Sequence, residues 1–337
     1  MSSLRIAIVA DELGWHTRQL QQALRARGAS SRCIDSADCR IDTGHAWHGL
    51  VLPGFGRELP DAVIVRGIAG GSFEQVTRRL GVLHALREFG VPVYNDARAI
   101  ERSVDKSMTS LLLHAAGLPM PATWAIESTQ AAHALVLREA AARRCLVLKP
   151  LFGSQGKGLA RVGWVDGAYV PLPELGGPTG APPADSTIDS RPDADAQDYG
   201  GVAYLQRFIE PLHPADQAPG HDYRVLVVGG QARAAMRRVS AGWVHNVAQG
   251  ARCEPQSLDG PFGADLARLA VAAARALDLD YAGVDLMPSP QGLQLIEVNG
   301  VAAWHGLQKV CEVNIARALV DDLLDRKLAS AQRQRRA

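Results

Sequence analysis

Three oxygen-bearing side chains near the end of the chain have the clearest chemical meaning: Asp285 in the run AGVDLM, and Glu297 and Asn299 in the run LIEVNG. Side chains two residues apart in a strand share a face, so an antiparallel partner strand can bring Asp285 opposite the other two. Magnesium takes such oxygen ligands and completes its shell with water and phosphate oxygens. The pattern predicts a metal site on a late β-hairpin.

The alternative is that both acids face solvent on an amphipathic hairpin. Apolar residues flank Asp285 and Glu297 on both sides. Such flanks indicate central strands, where an unpaired charge is costly. They favour the metal site.

A second pattern joins a lysine to a glycine-rich turn. Lys149 closes the apolar run CLVLK, and Gly153–Gly158 (GSQGKG) follows it. Glycine lets backbone N–H groups approach phosphate oxygens, and a glycine-rich hairpin can close over a nucleotide as a lid. The turn is not a Walker A loop, because Lys157 precedes glycine rather than Ser or Thr. A plain hairpin is the alternative, but Lys149 needs an anionic partner and favours phosphate binding.

The elements that must position these residues follow from periodicity and turn signals. Alternating strands and helices over the first ~95 residues predict a small parallel α/β unit, with a capping box at Ser72 and Gln75. A helix near Ser103–Ala116 comes next, and Gly229-Gly230 reads as a two-residue hairpin turn. The proline-rich insertion 171–200 shows no helical or strand periodicity, so we predict no regular secondary structure there.

Composition limits the class of protein. The net charge is +1, with 47% hydrophobic and 21% charged residues, which is typical of a folded globular chain and gives no global attraction to nucleic acid or membrane. Five cysteines without a C-x-x-C pair favour a reducing, cytoplasmic setting over a disulfide framework. We expect no membrane span, because no stretch approaches ~18 apolar residues.

Six stretches, in order, resemble the RimK-like α-L-glutamate ligase group of the ATP-grasp superfamily. They cover roughly residues 91–300 apart from the insertion, and they read VYNDARAIERSVDKSMTSLLLHAAGLPMPAT, LVLKPLFGSQGKGLARV, LQRFIE, HDYRVLVVGGQARAAMRR, YAGVDLM and LIEVNG. The resemblance implies an α/β ATP-grasp fold with an α+β lid, preceded by a small parallel α/β pre-ATP-grasp domain. The expected domains are 1–96 (pre-ATP-grasp), 97–205 (central lid domain with the insertion), 206–330 (C-terminal ATP-grasp domain) and 331–337 (basic tail).

The resemblance also assigns roles to matching residues. ATP phosphates are expected at Lys106 and Lys149. The lid is expected at Gly153, Ser154, Gln155, Gly156 and Gly158, and adenine and ribose contacts at Gln206, Arg207, Phe208, Ile209 and Glu210. The metal, Mg²⁺ or Mn²⁺, is expected at Asp285, Glu297 and Asn299. Catalytic contacts with phosphate or acyl phosphate are expected at Arg224, Arg238 and Asn246.

In such ligases a carboxylate attacks the γ-phosphate of ATP, and an amine then displaces phosphate from the acyl phosphate to form an amide. The expected reaction adds L-glutamate to a small-molecule or glutamyl-chain acceptor. The run 302–308 (AAWHGLQ) resembles ATP-grasp ligases that modify one-carbon carrier cofactors of the tetrahydromethanopterin or methylofuran type. Relatives of this kind also form homo-oligomers.

The chain departs from the group where the acceptor binds. Arg207 replaces the usual hinge acid, Ala248-Gln249 replaces a His-Arg pair, and the Ser-Pro-Gly after the metal asparagine is absent. We therefore do not expect a ribosomal protein tail as the acceptor. Trp304-His305 either shapes an acceptor pocket or packs as a loop aromatic.

Two alternatives stay open at this point. One is a catalytically silent nucleotide-binding regulator. The other is a different ATP-grasp ligase, either a dipeptide ligase or one that acts on an amino-group carrier protein. The lid loop 153–158 and the insertion 171–200 are expected to be mobile without nucleotide.

Overall fold

The computed structural model describes residues 3–44, 48–153, 155–176, 199–210 and 220–336. Ser154 and most of the proline-rich insertion, for which predictions were made above, lie outside the described residues. Within the described part, no helix is long and apolar enough to cross a membrane.

The first unit is a parallel sheet covered by helices, as the alternating pattern predicts. Its four strands are ordered β2-β1-β5-β6, and every neighbouring pair is parallel. The capping box of α2 is confirmed, because Ser72 and Gln75 exchange both hydrogen bonds. The elements are β1 (Arg5–Val9), α1 (Trp15–Ala26), β2 (Ser30–Ile34), β3 (Arg40–Ile41), β4 (Leu50–Val51), β5 (Ala62–Val65), α2 (Phe73–Glu88) and β6 (Val93–Tyr94).

The second unit is a five-stranded sheet ordered β10-β9-β8-β11-β7. Its elements are α3 (Ala97–Val104), α4 (Lys106–Ala115), β7 (Thr123–Ile126), α5 (Thr129–Ala141), β8 (Cys145–Lys149), β9 (Ala160–Val165), β10 (Ala168–Val170) and β11 (Ala203–Arg207). Strand β11 runs through the proposed boundary at 205/206 and pairs with β7 and β8 beyond it. The domain division stays a prediction.

The single helix predicted near Ser103–Ala116 is wrong in one respect. The chain forms two helices, which meet at Asp105. The Asp105 carboxylate accepts hydrogen bonds from the backbone N–H groups of Ser107 and Met108, so it caps α4. The break makes Lys106 the first residue of a helix rather than a residue in the middle of one.

The third unit is an antiparallel sheet ordered β14-β13-β12-β15-β16. Both residues of the predicted turn Gly229-Gly230 have positive φ, 58° and 76°, which glycine adopts without strain. Helix α6 packs its apolar face, including Leu266 and Leu269, against this sheet. The elements are β12 (Gly220–Val228), β13 (Gln231–Ser240), β14 (Arg252–Gln256), α6 (Gly260–Ala276), β15 (Tyr281–Ser289) and β16 (Gly292–Asn299).

The chain ends in helices that return to the first unit. They are α7 (His305–Gln308), α8 (Ile315–Asp321), a π-helical segment (Asp322–Leu328) and α9 (Ala329–Arg336). One apolar cluster contains Ile6 of the first sheet, Leu226 of the third sheet and Leu319 of α8. The first and third units therefore share a core.

Asn95, just after β6, joins the first unit to the hairpin β15–β16. Its side chain is fully buried. The amide oxygen accepts from the backbone N–H groups of Asp280 and Tyr281, and the amide nitrogen donates to the carbonyls of Tyr281 and Gly300. Because Tyr281 begins β15 and Gly300 follows β16, one side chain holds both ends of the hairpin.

Candidate functional site

The hairpin β15–β16 brings two of the predicted metal ligands face to face. Asp285 pairs directly with Glu297, and Gly283 pairs with Asn299. Residues directly opposite in antiparallel strands project to the same side of the sheet. Asp285 and Glu297 line one cleft between the second and third sheets, whereas Asn299, two residues further along β16, does not line it.

Glu297 is half-buried and makes no ion pair or side-chain hydrogen bond with any described residue. The Asn299 amide nitrogen donates weakly to the Gly283 carbonyl at 3.4 Å, which leaves its oxygen uncommitted. Both side chains therefore keep oxygen atoms available to a cation. An unpaired carboxylate in a partly desolvated position calls for such a partner.

Asp285, in contrast, is held by two arginines. Arg224 donates to both carboxylate oxygens, at 2.7 Å each, and Arg238 reaches one of them at 3.0 Å. Burial by itself would raise the pKa of Asp285, but the two guanidinium groups outweigh it and hold the pKa below its usual value. The carboxylate is thus ionised and fixed in orientation.

The same network includes Asp222, which the sequence reasoning did not select. Arg238 donates to both of its carboxylate oxygens, and both side chains are about 2% exposed. Burial raises the pKa of Asp222 to about 6, against the opposing effect of Arg238. Asp222 is two residues from Arg224 on β12, so the strand spacing that linked Glu297 to Asn299 could have found it.

Two lysines enter the cleft from the opposite side. The Lys149 ammonium donates to the Gln206 side-chain oxygen at 2.7 Å, and the Lys106 ammonium donates to the carbonyl of Gly153 at 2.8 Å. Neither lysine forms an ion pair with a described residue. Burial lowers the pKa of Lys149 to about 8 and also lowers that of Lys106, with Glu297 opposing the effect in both. They are cations without an anionic partner.

The glycine-rich turn lies over this cleft. Gln155, Gly156 and Gly158 all have positive φ, which is why glycine suits the turn. The backbone of Gly156 packs so closely on Asn246 that an added Cβ would lie 2.6 Å from the Asn246 side-chain oxygen. Gly153 and Gly156 line the cleft, while Gln155 and Gly158 do not.

The predicted adenine-contacting segment also lines the cleft, through Gln206, Arg207, Phe208 and Ile209. The Arg207 guanidinium donates to Glu139 at 2.8 Å, so its charge is neutralised within the second unit. Glu210, the predicted ribose ligand, is exposed and does not line the cleft.

Of the three predicted catalytic residues, Arg238 and Asn246 line the cleft and Arg224 does not. Arg224 instead lies behind Asp285. His245, beside Asn246, also lines the cleft and was not predicted. Burial, aided by Arg238 and His221, lowers the pKa of His245 to about 4, so it is neutral near pH 7.

The donor set fits a magnesium ion bridged to phosphates. Among the described residues, no three His, Cys, Asp or Glu side chains form a metal-binding group. The site instead offers the unpaired Glu297 carboxylate, the Asn299 amide oxygen and the Asp285 carboxylate, which already accepts from two arginines. Magnesium typically binds through one or two carboxylates together with water and substrate phosphates. The unpaired Glu297 carboxylate is the observation that supports the fit.

Comparison with known proteins identifies two domain families within the chain. Residues 4–100 match the RimK PreATP-grasp domain, and residues 203–323 match the RimK-like ATP-grasp domain. These ranges contain the parallel sheet and the antiparallel sheet, respectively.

Similar proteins extend over nearly the whole chain. The tetrahydromethanopterin:alpha-L-glutamate ligase of Methanococcus maripaludis is 30% identical over 96% of this chain and 98% of its own length. The enzyme of that name from Methanosarcina acetivorans is 32% identical over 78% of this chain and 79% of its own. The ATP-grasp ligase PsnB, solved with a phosphomimetic variant of its minimal precursor, Mg and ADP, superposes with a TM-score of 0.64 at 21% identity over 95% of this chain and 97% of its own. That likeness shows the fold.

Proposed function

The chain belongs to the RimK-like ATP-grasp family of ATP-dependent C–N ligases, and we propose that it joins the amine of L-glutamate to a carboxylate of a small-molecule acceptor. One observation carries the proposal at the level of the site. Two lysines without an anionic partner face an unpaired Glu297 and an oriented Asp285 across one cleft. A magnesium-bound triphosphate would neutralise both sides at once.

The proposed reaction has two steps. An oxygen of the acceptor carboxylate attacks the γ-phosphorus of ATP, the bond to the β-phosphate oxygen breaks, and ADP leaves. The amine of L-glutamate, after losing a proton, then attacks the acyl carbon, the bond to the phosphate oxygen breaks, and inorganic phosphate leaves. Catalysis of such phosphoryl transfer depends mainly on positioning and on neutralising charge.

The roles of the side chains follow from their places in the cleft. Lys106 and Lys149 bind the ATP phosphates, and the backbone of residues 206–209 contacts adenine. Asp285 and Glu297, with Asn299 two residues further along β16, would hold magnesium, which when bound would neutralise phosphate charge. Arg238 and Asn246, which line the same cleft, contact the transferred phosphoryl group. Arg224 acts through Asp285, whose orientation it fixes.

L-Glutamate and a carrier-type acceptor are proposed because the relatives named above are tetrahydromethanopterin:alpha-L-glutamate ligases. The alignment with the Methanococcus maripaludis protein is close to end to end, so it includes the acceptor-contacting segments as well as the nucleotide cleft.

The test is a coupled assay of ADP release. We expect release to require both L-glutamate and an acceptor, with tetrahydromethanopterin as the first one assayed, and to yield one amide per ADP. ATP hydrolysis that no amine or acceptor alters would refute the proposal. Formation of a dipeptide from other amino acids, or activity with an amino-group carrier protein, without activity towards L-glutamate would instead favour one of the other ligases considered above.

A further inference from the structure

Arg66 is a cation that the nucleotide cleft does not use. It is the first residue after β5, at the carboxyl edge of the parallel sheet, where ligands of open α/β sheets bind. Its Nη1 donates to the carbonyl of Ala302 at 2.9 Å and to the Tyr281 hydroxyl at 3.2 Å. The guanidinium is therefore fixed between the first unit and the segment that follows the predicted metal ligands.

The charge of Arg66 is not balanced by any side chain in the described part of the chain. No described carboxylate forms an ion pair with it, although Asp11 lies close by, against Gly67. Its Nε is buried and donates to no described acceptor. A buried donor left without a partner is costly, and an arginine edge with free Nε and Nη2 hydrogens has the geometry to bind a carboxylate through two bonds.

Aromatic rings hold Arg66 in place without neutralising it. The guanidinium carbon lies 4.5 Å from the ring centroid of Trp304, which is itself 1% exposed. The Trp304 ring packs edge to face on His16, at 4.6 Å, and its backbone N–H donates to the His16 ring at 3.1 Å. Burial, together with Arg66 and His305, lowers the pKa of His16 to about 4. Arg66 is consequently the permanent positive charge of this group.

Arg66 is also linked to the reacting side of the hairpin. It binds the carbonyl of Ala302, and Ala302 packs against Gly283, where an added Cβ would lie 2.8 Å from the Ala302 side chain. Gly283 pairs with Asn299 and lies beside Arg224. A ligand on Arg66 would thus approach the hairpin from the first unit.

We propose that Arg66 binds a carboxylate of one of the two joined substrates through its Nε–Nη2 edge, with Trp304 as its support. This rests on the proposed function. The proposed reaction needs a cation that binds carboxylate, because L-glutamate has two carboxylates and the glutamate-bearing product has more. Lys106 and Lys149 do not fill this role, since they are assigned to the ATP phosphates. The carboxylate belongs either to the incoming L-glutamate or to the acceptor, and the experiment separates these two sources.

The test compares Arg66→Gln with wild type, measuring KM separately for L-glutamate, tetrahydromethanopterin and ATP. We expect the KM for one carboxylate-bearing substrate to rise about 10- to 100-fold, as for loss of a charge-assisted pair, while the KM for ATP stays within about twofold. Arg66→Lys keeps the charge without the fork and should recover part of the loss.

Amide analogues separate the sources. If Arg66 binds L-glutamate, wild type should discriminate against either L-glutamine or the α-amide of L-glutamate, and Arg66→Gln should lose that discrimination. If it binds the acceptor, discrimination among the amines should be unchanged and only the acceptor KM should rise. A variant that merely disturbs packing would not produce either selective pattern.

Arg78→Gln is the matched control, since Arg78 is also half-buried in the first unit and bonds only to carbonyls, those of Ser36, Ala37 and Cys39. It should change neither substrate KM. Unchanged values in both Arg66 variants would overturn the inference and leave the proposed function intact. Absence of glutamate-dependent turnover in wild type would overturn both the inference about Arg66 and the proposed function. If the Arg66→Gln protein no longer binds ADP, the KM values of Arg66→Lys decide the test.

Discussion

The two walls of the cleft carry charge in opposite ways. On the wall formed by α4 and β8, Lys106 and Lys149 have only carbonyl and amide partners. On the wall formed by the third sheet, Asp222 and Asp285 are bonded to Arg238 and Arg224 in one buried network. The two lysines of the first wall are therefore free to bind an anionic ligand, whereas Asp222 and Asp285 on the second wall are neutralised by neighbouring arginines.

The difference teaches which charges serve the fold and which serve the ligand. A buried pair is strongly destabilising to break, because the remaining partner keeps an uncompensated charge. A desolvated lysine without a partner already destabilises the folded state, so its removal should cost activity without costing stability. Glu297 lies on the wall of paired charges but forms no ion pair with a described residue. Its substitution therefore tests whether pairing, rather than position in the cleft, determines the effect on stability.

The largest expected effect comes from the matched variants Asp285→Asn and Glu297→Gln. Both should reduce ligase activity by on the order of 10³-fold, because each loses a metal-binding carboxylate. Only Asp285→Asn should also lower the free energy of unfolding, by about 3–5 kcal/mol, since it leaves Arg224 and Arg238 without their shared acid. Urea unfolding without nucleotide would measure this, and equal stability of the two variants would contradict the comparison.

Lys149→Met tests the other wall. Activity should fall by on the order of 10²–10³-fold, because a phosphate-neutralising charge is lost. Stability at pH 7 should stay the same or increase, since a partly desolvated cation is replaced by an apolar side chain of similar length. A marked loss of stability in urea would show that Lys149 supports the fold after all.

Gly156→Ala tests the contact between the glycine-rich turn and Asn246 on the opposite side of the cleft. The new Cβ would both strain a residue at φ +71° and collide with Asn246, so the ATP KM should rise about 10-fold through displacement of the turn. Gly167→Ala is the control, because Gly167 has φ +87° with nothing within 4 Å. An equal rise in both variants would mean that backbone strain alone is responsible.

The smallest effect is a pH dependence of stability. Between about pH 8 and its unperturbed value of 10.5, Lys149 loses its proton in the folded protein but keeps it in the unfolded chain. The unfolded state then binds more protons, so stability rises with pH, by at most about 1.4 kcal/mol per unit for this group. The advantage of Lys149→Met over wild type should therefore shrink across this range in urea titrations, and a constant difference would argue against the lowered pKa.

Local rules were enough to predict much of the framework. Strand alternation placed Asp285 and Glu297 on facing strands, and turn chemistry located Gly229-Gly230. The break at Asp105 was missed because the residues on both sides of it fit a helical pattern. Asp105 can cap α4 only because the chain turns there and a second helix begins. Helical periodicity carries no information about that change.

The paired wall could not be predicted in the same way. Arg238 meets Asp222 across a hairpin whose register includes an irregularity after Leu226, and Arg66 meets Tyr281 from 215 positions away in the chain. The first contact depends on the register of two neighbouring strands in one sheet, and the second depends on how the first and third units pack. Sequence spacing encodes neither directly.

The four hydrogen bonds of Asn95 have a consequence for dissecting this protein. A fragment that starts after the first unit would leave the N–H groups and carbonyls at both ends of the hairpin β15–β16 open to water. Chimeras that exchange the N-terminal unit to change the acceptor should therefore place their junction after Asn95 and supply an asparagine there. Otherwise the chimera would lack the side chain that holds β15 and β16 together at their open end, and with them Asp285 and Glu297 in register.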